Sequence, residues 1–202
     1  MEEFFKNALK NAKAVVIGTS WGGFLALKKI FSYLPPNFSF PIIIVQHVHK
    51  DSNTFEPHIY QTQGKSPLHI QEVDEWTKLS GGTIYFAPPD YHLLVERDYS
   101  LSLSADLPDH KARPSIDMLF KSAAQVYGEM LVGIILTGAN SDGAIGLKEI
   151  QDFGGAAIIQ NPKEAEHSEM PQAAIYLTGS KYIFTLDEIG KLFEVIGKNG
   201  NN

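Results

Sequence analysis

The chain has 202 residues, of which 44% are hydrophobic, 20% charged and 11% aromatic. That is the make-up of a globular protein of one domain, or of two very small ones. It has no cysteine, which excludes disulfides, thiolate-bound zinc, iron–sulfur clusters and a thiol nucleophile; any covalent catalysis falls to Ser, Thr, Lys, Asp, Glu, His or Tyr. The net charge of −6 argues against a nucleic-acid partner, which calls for a basic excess or patch.

The N-terminus, MEEFFKNALKNAK, carries acidic residues at positions 2 and 3 and lacks the uninterrupted apolar core of a signal peptide. No apolar run approaches the ~20 residues of a membrane helix, so a cytoplasmic protein without membrane insertion is expected. Residues 1–12 read as a short helical extension. Residues 14–18 (AVVIG) form an apolar, β-branched run ending at glycine, the pattern of a buried strand. An amphipathic helix follows over 24–34 and stops at Pro35-Pro36. PIIIVQHV at 41–48 is the next buried strand, 53–63 a helix, and 68–73 and 83–87 two further strands. Residues 92–104 (HLLVERDYSLSLS) alternate around a polar middle, as a hairpin does.

A helix over 115–127 starts near Ser115 or Asp117. MLVGIIL at 130–136 is a strand, and 142–153 a helix with Gly154 past its end. Residues 156–160 and 182–185 read as strands and 164–178 as a helix. The last helix spans 187–196 with Asp187 as its cap, and the tail from 198 is disordered. Repeated β–α alternation with near-continuous apolar strands predicts a single three-layer α/β domain. Its sheet is mostly parallel, with helices on both faces and an antiparallel hairpin at one edge. Ligands in such sheets bind outside the carboxyl ends of the strands, so the residues just after each strand are the candidates for chemistry.

After the first strand stands Gly18-Thr19-Ser20-Trp21-Gly22, a G-x-S-x-G between strand and helix. Such a turn exposes a nucleophilic serine, and the helix start behind it supplies free amides for an oxyanion. The same residues also suit a plain turn capped by Ser20 or a phosphate-binding loop. A dinucleotide fingerprint is incomplete, since the third glycine and the acidic residue after the second strand are missing; a P-loop lacks its G-K-[ST]. The second strand delivers His47, in reach of Ser20 if the two strands are neighbours and then a general base. His47 and His49 share a strand face, but no further ligands with metal-site spacing accompany them. The loop after the strand at 130–136 carries Asp142, either a helix cap or the group that orients the histidine. The order Ser, His, Asp differs from that of α/β-hydrolases.

Several blocks set side by side resemble the catalytic domain of the CheB family, the chemotaxis receptor methylesterases. They are VVIGTSWGG at 15–23, LPPNFSFPIIIVQH at 34–47, GGTIYFAPPDYHLLV at 81–95, RPSIDMLFKSAA at 113–124, GIILTGANSDGAIGLKEI at 133–150 and GGAAIIQNPKEAEHSEMPQAAI at 154–175. The resemblance makes 13–197 the catalytic domain and places the family's triad on Ser20, His47 and Asp142. It implies hydrolysis of glutamate γ-methyl esters on the cytoplasmic helices of methyl-accepting chemotaxis receptors, with deamidation of glutamines in some members. It implies neither cofactor nor metal. Trp21, Gly22, Ala139, Asn140 and Met170 fall at the oxyanion and substrate positions.

The chain departs from the family pattern in three places. Trp21 follows the serine where threonine is common, Ala139-Asn140 replaces Met-Gly, and Glu169 precedes Met170-Pro171 where Gly is usual. The Trp21 ring is placed to narrow the site or cover His47, and Glu164, Glu166 and Glu169 read as a solvated helix face. These departures keep two other readings open: a non-catalytic or weakly active binding protein on the same fold, and a serine esterase for a different substrate. Family members commonly carry an N-terminal receiver domain, for which the dozen residues before the first strand leave no room. The expectation is therefore a fragment, or an enzyme not gated by its own receiver.

Overall fold

The computed structural model describes residues 3–47, 57, 59–62, 66–109 and 112–196. In chain order the elements are α1 (Glu3–Asn11), β1 (Ala14–Thr19), α2 (Gly23–Phe31), β2 (Ile42–Gln46), α3 (Ile59–Thr62), β3 (His69–Glu72), β4 (Trp76–Lys78), β5 (Thr83–Phe86), β6 (His92–Val95) and β7 (Ser100–Ser104). They continue with α4 (Ile116–Tyr127), β8 (Leu131–Ile135), α5 (Ala144–Asp152), β9 (Ala156–Gln160), α6 (Glu169–Thr178), β10 (Ile183–Phe184) and α7 (Leu186–Ile196). Of the helix expected over 53–63, the described part is α3; His49, residues 53–56 and the tail from 197 lie outside the described residues.

Seven strands form one sheet in the order β10-β9-β8-β1-β2-β5-β3, with every pair parallel. Alternate residues of each central strand serve opposite faces. Val15 and Ile17 of β1, with Ile42 and Ile44 of β2, join the core packed by α1, α2 and α7. Ala14, Val16, Ile43 and Val45 join the core packed by α4, α5 and α6. Both faces are thus covered, which explains why the strands read as unbroken apolar runs.

The expected hairpin is β6 and β7, but it is not an edge of the large sheet. It pairs with β4 in a separate three-stranded antiparallel sheet, order β4-β7-β6. The N-terminal helix is more than an appendage: Phe5 is fully buried and stacks on Tyr182 at 3.8 Å between ring centroids, and Leu9 is buried with it. α7 begins one residue earlier than expected and is capped by Thr185, whose hydroxyl accepts from the Glu188 amide while Glu188 accepts from the Thr185 amide. That reciprocal pair is a capping box. It leaves Asp187 to bind Lys29 and Tyr33 of the α2 region. α6 starts at Glu169, so the segment from 164 is a turn and the three glutamates share no helix face.

Candidate active site

Ser20, His47 and Asp142 follow three strands that are neighbours at the centre of the sheet. Thr19 is in register with Gln46, so the next residues, Ser20 and His47, stand side by side; the His47 amide donates to the Thr19 carbonyl at 3.0 Å. β8 flanks β1 on its other side, and the Ser20 amide donates to the Thr137 carbonyl just past β8. Asp142 closes the loop that Thr137 opens.

The turn carrying Ser20 requires glycine. Gly22 has φ +78°, and a side chain there would also meet Cβ of Glu166 at 2.8 Å. As the residue before α2, Gly22 keeps its amide free of partners among the described residues, the state expected of a helix start.

Asp142 is buried and holds a crowd of donors. Its Oδ2 lies 2.9 Å from Nε2 of His47 and accepts from the Ile116 amide at 2.8 Å. Its Oδ1 accepts from the Asp117 amide and the Ser115 hydroxyl at 3.0 and 3.1 Å. The His47 contact is close in distance, but the ring N–H is not aligned along it. Burial pushes the Asp142 carboxyl up, yet the histidine and the two α4 amides outweigh burial and hold it below the usual carboxylate range. The carboxylate also sits at the positive end of the α4 dipole. Asp142 therefore does cap a helix, but the helix is α4 and not its own; α5 has Gly143 at its N-cap position with no side-chain cap.

The other nitrogen of His47, Nδ1, forms no hydrogen bond with Ser20. It lies 3.2 Å from the side-chain amide of Asn140, and Ser20 Oγ makes no hydrogen bond among the described residues. Asn140 and Ala139 are exposed at the rim of the site. Trp21 is 55% exposed, and its ring lies 5.9 Å from the His167 ring, just before α6. Met170, expected at the substrate position, is fully buried, with its thioether against Gly138 and its amide donating to the Gly138 carbonyl, so it packs against the loop that leads to Asp142. Glu166, read as a solvated face, is exposed but lies against Gly22.

Thr137 is a site residue that sequence reasoning missed. Its carbonyl accepts from the Ser20 amide and the Thr19 hydroxyl, its amide donates to Gln160 Oε1, and its hydroxyl accepts from the His167 amide and donates to the Trp21 carbonyl. Its place directly after a buried strand was the available signal. Ser115 and Asp117 were noticed only as a helix start, because their link to Asp142 spans 25 residues or more. Among the described residues no group of three or more His, Asp or Glu is arranged to hold a metal ion.

The CheB methylesterase family model matches residues 15–193. The chain belongs to the CheB methylesterase family. It is 43% identical over 189 residues, 94% of this chain and 97% of the other, to a Leptospira interrogans protein provisionally named protein-glutamate methylesterase/protein-glutamine glutaminase. It is 36% identical over 184 residues to a Carboxydothermus hydrogenoformans protein-glutamate methylesterase/protein-glutamine glutaminase, covering 88% of this chain and 53% of that one. The Thermotoga maritima CheB methylesterase catalytic domain superposes with a TM-score of 0.82 at 28% identity, over 91% of this chain and 98% of that one. The α/β fold with a parallel seven-stranded sheet is thus the fold of a CheB catalytic domain.

Proposed function

We propose that the chain hydrolyses glutamate γ-methyl esters on chemotaxis receptors, with Ser20 as nucleophile, His47 as general base and Asp142 as the group that orients His47. The observation that carries this reading is the placement of the three residues after β1, β2 and β8, with His47 Nε2 2.9 Å from a buried, ionised Asp142. Ser20 Oγ attacks the ester carbonyl as Nδ1 of His47 takes its proton. The tetrahedral oxyanion is met by the free Gly22 amide; one such donor is worth about 10²–10³ in rate. Nδ1 returns the proton to the methoxy oxygen and methanol leaves. Water, deprotonated by the same nitrogen, then hydrolyses the acyl-serine to the glutamate carboxylate and regenerates Ser20. A glutamine side chain entering the same cycle loses ammonia in place of methanol. No described helix is long and apolar enough to cross a membrane, and the proposed substrate is the receptor's cytoplasmic helical region.

The test is methanol release from methylated receptor. Wild-type chain is expected to release it and Ser20→Ala to lose at least ~10³-fold in rate; equal rates refute the assignment.

A further inference from the structure

The Asn140 side chain has only one possible orientation. Its Oδ1 lies 3.0 Å from the Asp142 amide, and a backbone N–H only donates, so Oδ1 is the acceptor. The other arm is then the NH2 group, a donor without acceptor capacity, and it faces Nδ1 of His47 at 3.2 Å. Nδ1 must present its lone pair to that amide. A neutral ring that offers Nδ1 as acceptor carries its proton on Nε2, which lies 2.9 Å from the Asp142 carboxylate, an acceptor only, although that N–H is not aligned for a hydrogen bond. The Asn140 amide selects this neutral tautomer, and the nearby Asp142 carboxylate is compatible with it. The same Asn140 amide occupies the one lone pair that Ser20 needs, and Ser20 Oγ is left without a hydrogen bond among the described residues.

We propose that Asn140 is a positioning residue that competes with Ser20 for Nδ1 of His47, holding the free enzyme with its base occupied. The proposal rests on the Ser20–His47–Asp142 reading above. Asn140 is exposed at the rim, so a substrate entering over residues 139–141 reaches its amide directly. A substrate carbonyl that accepts the same N–H draws it off Nδ1 and frees the lone pair for the serine hydroxyl. The base becomes available when an acyl group is present, and idle proton transfer from Ser20 is suppressed when none is.

Two substitutions act in opposite directions. Asn140→Ala removes the competing donor. Asn140→Asp keeps the acceptor for the Asp142 amide, and with it the loop, but sets a carboxylate against Nδ1, which then favours a protonated nitrogen and removes the base. A residue that only stiffened the loop would weaken activity when replaced by Ala and tolerate Asp. The experiment measures labelling of Ser20 by a fluorophosphonate probe and kcat for methanol release from methylated receptor, with Ser20→Ala as control and imidazole ¹⁵N spectra of His47 alongside.

Asn140→Ala is expected to speed labelling and kcat about two- to tenfold, the range of one competing hydrogen bond, with KM within about twofold of wild type. Its Nδ1 resonance should move toward the value of a free lone pair. Asn140→Asp is expected to label several-fold more slowly at neutral pH and to show Nδ1 protonated. Labelling that depends on Ser20 but is unchanged or slower in Asn140→Ala overturns the proposal while the triad stands. Labelling indifferent to Ser20→Ala refutes the triad itself, and Asn140's role with it. If Asn140→Ala does not fold, labelling by Asn140→Asp at the wild-type rate overturns it.

Discussion

Asp142 and Asp117 exchange helix caps. Asp142, two residues before α5, accepts from the Ile116 and Asp117 amides that open α4. Asp117, in the first turn of α4, accepts from the Gly146 amide in the first turn of α5 at 2.6 Å. Each helix start is closed by the other's carboxylate, and the pair fixes Asp142 toward His47.

The exchange makes Asp142→Asn a double lesion. Both carboxylate oxygens accept from N–H groups, whereas an asparagine offers one acceptor, so one buried donor must face an NH2 group. The expected cost is about 1–3 kcal/mol of stability, read as a lower midpoint in denaturant unfolding. A rate loss on the order of 10²–10⁴ should accompany it, because the imidazole loses the carboxylate that orients it. Full stability in this variant would contradict the cap assignment.

Ser20→Ala should separate what Asp142→Asn combines. The Ser20 hydroxyl has no partner among the described residues, while the backbone bonds of the turn, Ser20 amide to Thr137 and Gly23 amide to the Ser20 carbonyl, survive the change. Unfolding free energy is expected to stay within about 0.5 kcal/mol of wild type while activity is lost. A loss above ~1 kcal/mol would mean the hydroxyl is structural.

Asp117 gives the protein a pH-dependent weakness. Burial first, then the neighbouring charges of Asp142 and Asp109, push its carboxyl up to about 6, against the pull of the Gly146 amide and Lys121. Its second oxygen is buried without a partner. Because the folded value lies above the unfolded one, the folded state holds the proton more tightly, and stability falls as pH rises from about 4 through about 6. A shift of this size corresponds to about 2–3 kcal/mol at most. Asp117→Asn keeps an acceptor for Gly146 and does not titrate. Its Tm relative to wild type should therefore be more favourable at pH 7.5 than at pH 4.5, and an identical difference at both pH values would refute the account.

Phe5→Ala tests whether α1 is part of the domain. The ring is fully buried and stacked on Tyr182, with Phe184 at 6.0 Å. Removing it should cost about 3–5 kcal/mol with the activity of the folded fraction unchanged, since the contact lies on the sheet face of α1 and α7, in the core that excludes the α4–α6 side. A loss under 1 kcal/mol would return α1 to the status of an appendage.

The parallel sheet was legible because each central strand is an apolar, β-branched run bounded by glycine or polar residues. The positions of Ser20, His47 and Asp142 were legible because strand ends are where such sheets expose chemistry. The remainder depended on pairings no local pattern encodes. Trp76-Thr77-Lys78 is too short to announce a strand until Ser100–Ser104 lies beside it. Asp142 looked like the cap of the helix it precedes, and only the fold brings α4 to it. Asn140 read as a change in loop composition; its hold on His47 spans 93 positions of sequence.

Gly18 and Gly143 both abut Ile116. A Cβ at position 18 would stand 2.3 Å from Ile116 Cγ2, and one at 143 would stand 2.5 Å from the same atom. The strand that leads to Ser20, the loop that carries Asp142 and the helix α4 that meets both therefore share a single methyl group as their spacer. Positions 18 and 116 form one volume divided between two side chains. In a comparison of relatives, any residue larger than glycine at 18 should arrive together with a smaller one at 116, and the two substitutions made together should be tolerated where Gly18→Ala alone is not.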